Sequence, residues 1–194
     1  MTVALRWLFM TLVLLQLSGC GINNIPTYDE QVSAAWSQVL NQHQRRAELI
    51  PNLVSTVKGY AAQEKDVLTA VVEARSKVAQ TQLPKDVLTD PAAFKTFQDN
   101  QAQLSSALAR LMVVVERYPD LKANQNFLDL QNQLEGTENR INVARQRYNA
   151  QVEAFNSAVR RFPNSITNSL LLHLERKEYF KAQSGAEKAP EVKF

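Results

Sequence analysis

DPAAFKTFQDNQAQLSSALARLMVVVERYP, residues 90–119, carries the clearest periodicity in the chain. Phe94, Phe97, Gln101, Leu104, Leu108, Leu111, Val115 and Tyr118 recur at alternating steps of three and four, the spacing that lines side chains along one face of an α-helix. Asp90 is a good N-cap, and Pro91 suits the first helical position, where no N–H is needed. Pro119 closes the stretch, with Asp120 in the turn. The predicted helix is about 40 Å long at 1.5 Å per residue. Its apolar stripe has to be covered by other elements.

Those elements lie on both sides. Downstream, a helix is predicted from about Leu121 to Phe162, ended by Pro163. Its inward line is Phe127, Gln131, Leu134, Glu138, Ile141, Arg145, Tyr148, Val152, Phe155, Val159 and Phe162, with Gly136 as an internal weak point. At about 60 Å it outreaches the 90–118 helix, so one end must pack on something else. An upstream helix folded back, or the C-terminal tail, could serve.

Upstream, Val54, Val57, Ala61, Glu64, Leu68, Val71, Arg75 and Val78 predict a helix over 51–79. Val32, Trp36, Val39, His43, Arg46 and Ile50 predict another over 28–49, with Thr27 as N-cap and Asp29 and Glu30 in its first turn. Pro51 reads as a break between the two, opening the second helix at its first turn. The competing reading is one long helix kinked at Pro51, because no loop residues separate the halves. Gly59 would permit another helix to approach closely. Residues 80–89 read as a loop around Pro84.

Five glycines and seven prolines in 194 residues, several prolines at segment ends, suit long uninterrupted helices. The expected fold is all-α, an antiparallel up-and-down four-helix bundle over residues 28–180. Residues 164–180 hold a short apolar segment of Ile166, Leu170, Leu171, Leu172 and Leu174. It either packs on the end of the 121–162 helix or touches lipid. Residues 181–194 read as a disordered tail. The net charge of +3, with acidic and basic residues interleaved, is no nucleic-acid footprint.

The helical lines carry polar residues: His43, Arg46, Glu64, Arg75, Gln101, Gln131, Glu138 and Arg145. Buried charge is costly unless paired and hydrogen-bonded. These residues therefore either pair with one another and fix register, or form a polar seam that binds a partner or ligand. Neither His43 nor His173 follows a Glu by three residues, so the di-iron Glu-x-x-His pattern is missing. One cysteine and two histidines do not make a zinc site, and no phosphate loop or nucleophile elbow occurs. No cofactor, metal or catalytic residue is expected.

At the N-terminus, Arg6 precedes the apolar run Trp7–Leu15, and Leu17-Ser18-Gly19-Cys20 follows it. The run is too short to span a bilayer. It reads as a lipoprotein signal peptide, residues 1–19, cut before Cys20, whose thiol would carry the lipid; the competing reading is an ordinary cleaved signal peptide or a marginal signal anchor, with Cys20 incidental. Cys20 is the only cysteine, so no disulfide is expected. Cleavage leaves 194 − 19 = 175 residues, enough for one domain. Residues 20–27, with Asn23, Asn24 and Pro26 as breakers, read as a tether of about 20–25 Å at most. Gly21 and Ile22 carry no aspartate signal for inner-membrane retention, so the periplasmic face of the outer membrane is favoured if the cell is Gram-negative.

Particular residues resemble the LemA family of bacterial membrane-associated helical proteins. The matching pieces are Ala35-Trp36, Arg45-Arg46, Leu49-Ile50-Pro51-Asn52-Leu53-Val54, Val57-Lys58-Gly59-Tyr60-Ala61, Glu64 and Glu73-Ala74-Arg75. Later pieces are Glu138-Asn139-Arg140-Ile141, Ala144-Arg145, Tyr148-Asn149, Phe155-Asn156, Phe162-Pro163, Tyr179-Phe180 and Ala189-Pro190-Glu191-Val192-Lys193-Phe194. The resemblance implies an all-α, bromodomain-like up-and-down four-helix bundle and no agreed enzymatic activity. It also implies a transmembrane anchor, from which the lipobox departs.

The expected function is a non-enzymatic, lipid-anchored scaffold for another, unidentified envelope protein. Lys58, Tyr60, Glu64, Asn139 and Arg140 are the candidate contact residues, chosen as polar residues within the family-like pieces. The alternatives are an envelope hydrolase acting on cell wall or lipid, and a membrane-surface protein working through Leu170–Leu174.

Overall fold

The computed structural model describes residues 7, 24–81 and 84–181, and over these the protein is all helical, with no strand. The elements are α1 (Asn24–Tyr60), α2 (Lys65–Gln80), α3 (Pro91–Val115), the single turn α4 (Pro119–Lys122), α5 (Gln125–Ala158) and the single turn α6 (Asn164–Thr167). α6 continues into a π-helical turn, Asn168–Leu172. The signal-peptide and lipidation readings at 1–19 and Cys20 lie, apart from Trp7, outside the described residues, as does the tail reading over 182–194. No helix among the described residues is long and apolar enough to cross a membrane.

The start of α1 corrects the tether. Asn24–Thr27 are helical, and Ile25 is fully buried. Pro26 is tolerated because the first four N–H groups of a helix have no intrahelical partner to lose. Thr27 and Asp29 are consequently inside the helix rather than at its cap and first turn.

Pro51 does not break the chain. α1 runs through it for 37 residues. A proline inside a helix leaves the carbonyl four residues back without its usual donor. That carbonyl belongs to Ala47, and Arg75 on α2 donates its Nε to it at 3.0 Å. The break comes later, at residues 61–64, two residues after the weak helix former Gly59. Ala61 N–H still bonds to the Val57 carbonyl at 2.8 Å, and Glu64 opens α2. Gly59 admits no close helix contact, since a Cβ built there would meet nothing within 4 Å.

The other boundaries follow local chemistry. Asp90 caps α3 by accepting from Ala92 N–H at 2.8 Å, with Pro91 at the first position. Asn124 caps α5 by accepting from Phe127 N–H at 3.1 Å, so that helix starts four residues later than expected.

α1 and α5 pair along their length. Trp36 meets Tyr148 with ring centroids 5.6 Å apart, Arg46 meets Glu138 at 2.8 Å, and Asn124 Nδ2 donates to the Tyr60 hydroxyl at 2.9 Å. Residue numbers rise on one helix as they fall on the other, so the two run antiparallel. The core has two halves. An aliphatic half joins Leu49, Ile50, Leu53 and Val57 of α1 to Leu68 and Val71 of α2, Leu104 and Leu111 of α3, and Phe127 and Leu134 of α5. An aromatic half gathers Trp36, Phe94, Phe97, Tyr148, Phe155 and Phe180. His43, Arg46, Gln101 and Glu138 lie between the halves in each helix's register.

Beyond His173, which adopts the left-handed conformation (φ 51°), residues 174–181 return along α5 as an extended strap. Three asparagines hold it. Asn168, Asn156 and Asn149 each accept from the N–H and donate to the carbonyl of one residue, respectively Leu174, Lys177 and Phe180, at 2.9–3.0 Å. The gripped residues are three apart. Asn149 and Asn156 are seven apart, about 10.5 Å of helix, which matches about 9–10 Å of extended chain. The long fourth helix thus gains both expected partners, the folded-back first helix and the tail.

Candidate functional site

The polar residues of the helical lines pair mostly with one another. Arg46 is buried, its side chain 3 % exposed, while that of Glu138 is 45 % exposed. Arg46 donates to Glu138 Oε2 at 2.8 Å, Ser105 Oγ at 2.9 Å and Gln101 Oε1 at 2.6 Å. Burial pushes the guanidinium's pKa down, and the Glu138 charge and hydrogen bond push it back. It also reaches the Gln101 carbonyl at 3.4 Å and His43 Nδ1 at 3.5 Å. A guanidinium has only donors, so this nitrogen accepts and the ring proton sits on Nε2. Burial first, then the charges of Arg46 and Arg145, lower the His43 pKa to about 3, against a weaker opposing hydrogen bond that the ring donates to the Gln101 side chain. His43 is therefore neutral at physiological pH. Its ring meets Phe97 edge-on at 5.4 Å. This layer cross-links α1, α3 and α5, with Ser105 and Glu138 at its partly exposed rim. Arg75 is spent on Ala47, and Arg145 lies 4.6 Å over the Phe180 ring.

The candidate contact residues fall into two separate places. Lys58 and Tyr60 are exposed at the end of α1, where Tyr60 accepts from Asn124. Glu64 is half-buried and accepts from the Tyr118 hydroxyl at 2.7 Å and from Arg117 at 3.0 Å, which ties the α1–α2 turn to the end of α3. Asn139 and Arg140 lie about 27 Å away along α1, beside Gln42. There they line a shallow groove of about 430 Å³ between α1 and α5, together with Gln38, Gln42, Val143 and Arg147. Arg140 holds one wall, donating to Gln42 Oε1 at 3.3 Å and Thr137 Oγ1 at 3.0 Å. A second groove of about 550 Å³ separates α2 from α3, and its rim mixes Glu73, Lys77, Asp99 and Arg110.

Reading the sequence missed the α1 half of the first groove, Gln38 and Gln42, because neither sits on an apolar line. It also missed the asparagine grips. Their signal was present in Tyr148-Asn149 and Phe155-Asn156, an aromatic–asparagine pair repeated after seven residues.

A family model described as the LemA family matches residues 35–194. The chain is similar to magnetosome protein MamQ of Magnetospirillum gryphiswaldense, 26% identical over 174 residues, covering 81% of this chain and 64% of that protein. Magnetosome protein MamQ 2 of Paramagnetospirillum magneticum matches to the same extent. Protein LemA of Metamycoplasma hominis is 25% identical over 152 residues, covering 78% of this chain and 65% of its own length. The chain spans just under two thirds of the length of these relatives.

Proposed function

The chain belongs to the LemA family, and from that premise we propose that it is a non-enzymatic, membrane-anchored helical module that docks another envelope protein on its α1–α5 flank. In this reading the principal helices act as an antiparallel up-and-down four-helix bundle. A lipid on Cys20 holds the bundle outside the cytoplasm, on the periplasmic face of the outer membrane where there is one. The observation that carries the proposal is the groove at Asn139 and Arg140. It presents exposed amide and guanidinium donors above the small apolar floor of Val143 and Ala144, on two helices held rigid by the Arg46 layer. Preorganised donors beside an apolar contact suit a protein ligand better than a small one. Lys58, Tyr60 and Glu64 form a second, distal contact for the same client.

Photo-crosslinking in cells from position 140 and from position 60 tests the proposal. One discrete protein adduct from position 140, lost on Arg147→Glu, is expected. If neither position yields a protein adduct while the bundle stays folded, the docking reading is wrong.

A further inference from the structure

We propose that Phe162, Ile166, Leu170 and Leu171 form a membrane-facing cap that inserts into the headgroup region of an anionic phospholipid layer. The four side chains are 80 %, 51 %, 69 % and 67 % exposed. Other large exposed apolar side chains on the described helices, such as Val72, Val113 and Val143, are scattered singly, which is ordinary for a protein surface. Four within ten consecutive residues are a patch, and a patch calls for a partner. The segment is two-faced. Leu172 and Leu174 turn inward against the aromatic core, while Leu170 and Leu171 point away from it.

Position and charge name the partner. The cap covers the end of the molecule where α1 begins: Ile25 shares the aromatic core with Val159, and Asp29 pairs with Lys177 at 2.9 Å. Cys20 lies four residues before Asn24, within about 13 Å of extended chain. The proposal rests on the anchor reading at this point, since a lipid on Cys20 would bring a bilayer to this end and no other. Arg160, Arg161 and Arg176 flank the patch and are exposed, against the single acid Glu175 between residues 160 and 176. Apolar side chains flanked in sequence by exposed arginines match acyl chains beneath anionic headgroups.

The test uses the full chain as produced in its host, reconstituted in vesicles of phosphatidylethanolamine and phosphatidylglycerol that contain a phospholipid with a photoactivatable acyl chain. After irradiation, peptides are mapped by mass spectrometry, and the mass of the Cys20 peptide separately reports whether the anchor is present. Lipid labelling within residues 162–171 is expected. It should fall at least fivefold in Leu170→Ser/Leu171→Ser and severalfold without phosphatidylglycerol, with helical circular dichroism unchanged. Labelling there supports the cap whether or not Cys20 is modified. Vesicle-bound protein with Cys20 modified and 162–171 unlabelled overturns the cap and leaves the anchor standing. Protein with Cys20 unmodified and no labelling overturns both. Crosslinks joining 162–171 of two chains, without lipid label, overturn the cap in favour of self-association.

Discussion

Arg75 makes the hydrogen bond that Pro51 withholds: its Nε donates at 3.0 Å to the Ala47 carbonyl, the oxygen an amide at position 51 would otherwise engage. A residue on α2 thereby repairs α1. In the natural chain, Arg75→Met should cost about 1–2 kcal/mol, the lower part of the range for an acceptor left without a donor, since Ala47 is only partly buried. With Pro51→Ala in place, residue 51 regains an N–H, and the same change should cost about 0.5 kcal/mol or less. Urea unfolding of the four proteins checks this, and additive costs would refute the repair.

Asn149 and Asn156 should behave as fasteners of the strap. Asn149→Leu strands both the N–H and the carbonyl of Phe180, and about 2 kcal/mol of local stability should go with them. Tryptic cleavage after Lys177 and Lys181 should accelerate by about tenfold or more, because protease access follows local opening. Cleavage rates equal to those of the natural chain would mean that Asn149 does not fasten the strap.

His43 sets an acid limb. Its folded pKa, lowered to about 3, lies below the ordinary 6.5. The unfolded chain therefore takes up a proton between those values that the folded chain refuses, and stability falls as pH drops through that window. The slope approaches about 1.4 kcal/mol per pH unit. Relative to His43→Gln, the natural protein should lose about 2–3 kcal/mol between pH 7 and pH 4.5 in denaturant titrations. A pH-independent difference would show that His43 protonates freely in the fold.

Arg46 and Glu138 should be strongly coupled, and unequally. Glu138 is half in water and can be hydrated alone, whereas Arg46 cannot. Glu138→Gln should cost about 2 kcal/mol by leaving a buried cation with neutral acceptors only. Arg46→Met added to it should destabilise by at least about 1 kcal/mol less than the sum of the single changes. A double-mutant cycle by thermal or urea unfolding measures that term.

The inward lines were readable because burial alone imposes a three-four period. Val32, Trp36, Val39, His43, Arg46 and Ile50 are buried, as are Phe94, Phe97, Gln101, Leu104, Leu111 and Val115. What could not be read depends on partners distant in sequence. Pro51 looks like a break until Arg75 is placed beside Ala47. The strap has no period of its own, because side chains on α5, the Asn168 amide and the Leu88 carbonyl satisfy its backbone. In the candidate site, Asn139 and Arg140 fall in a groove, but polarity and family likeness could not reveal that Lys58, Tyr60 and Glu64 lie far from it, at the end of α1 and in the turn that follows. The apolar run at 166–174 was visible as a unit. Which leucines turn inward follows from the π turn and the left-handed His173, which local propensity does not announce.

Phe180 packs among Trp36, Phe94, Phe97 and Tyr148, although α5 ends at Ala158. The two halves of the core therefore come of age at different moments of synthesis. The aliphatic half has all its residues once Leu134 has been made. The aromatic half stays open until residue 180 has left the ribosome. A nascent or clipped chain that lacks the strap leaves the faces of Trp36, Phe94, Phe97 and Tyr148 that Phe180 covers open to water.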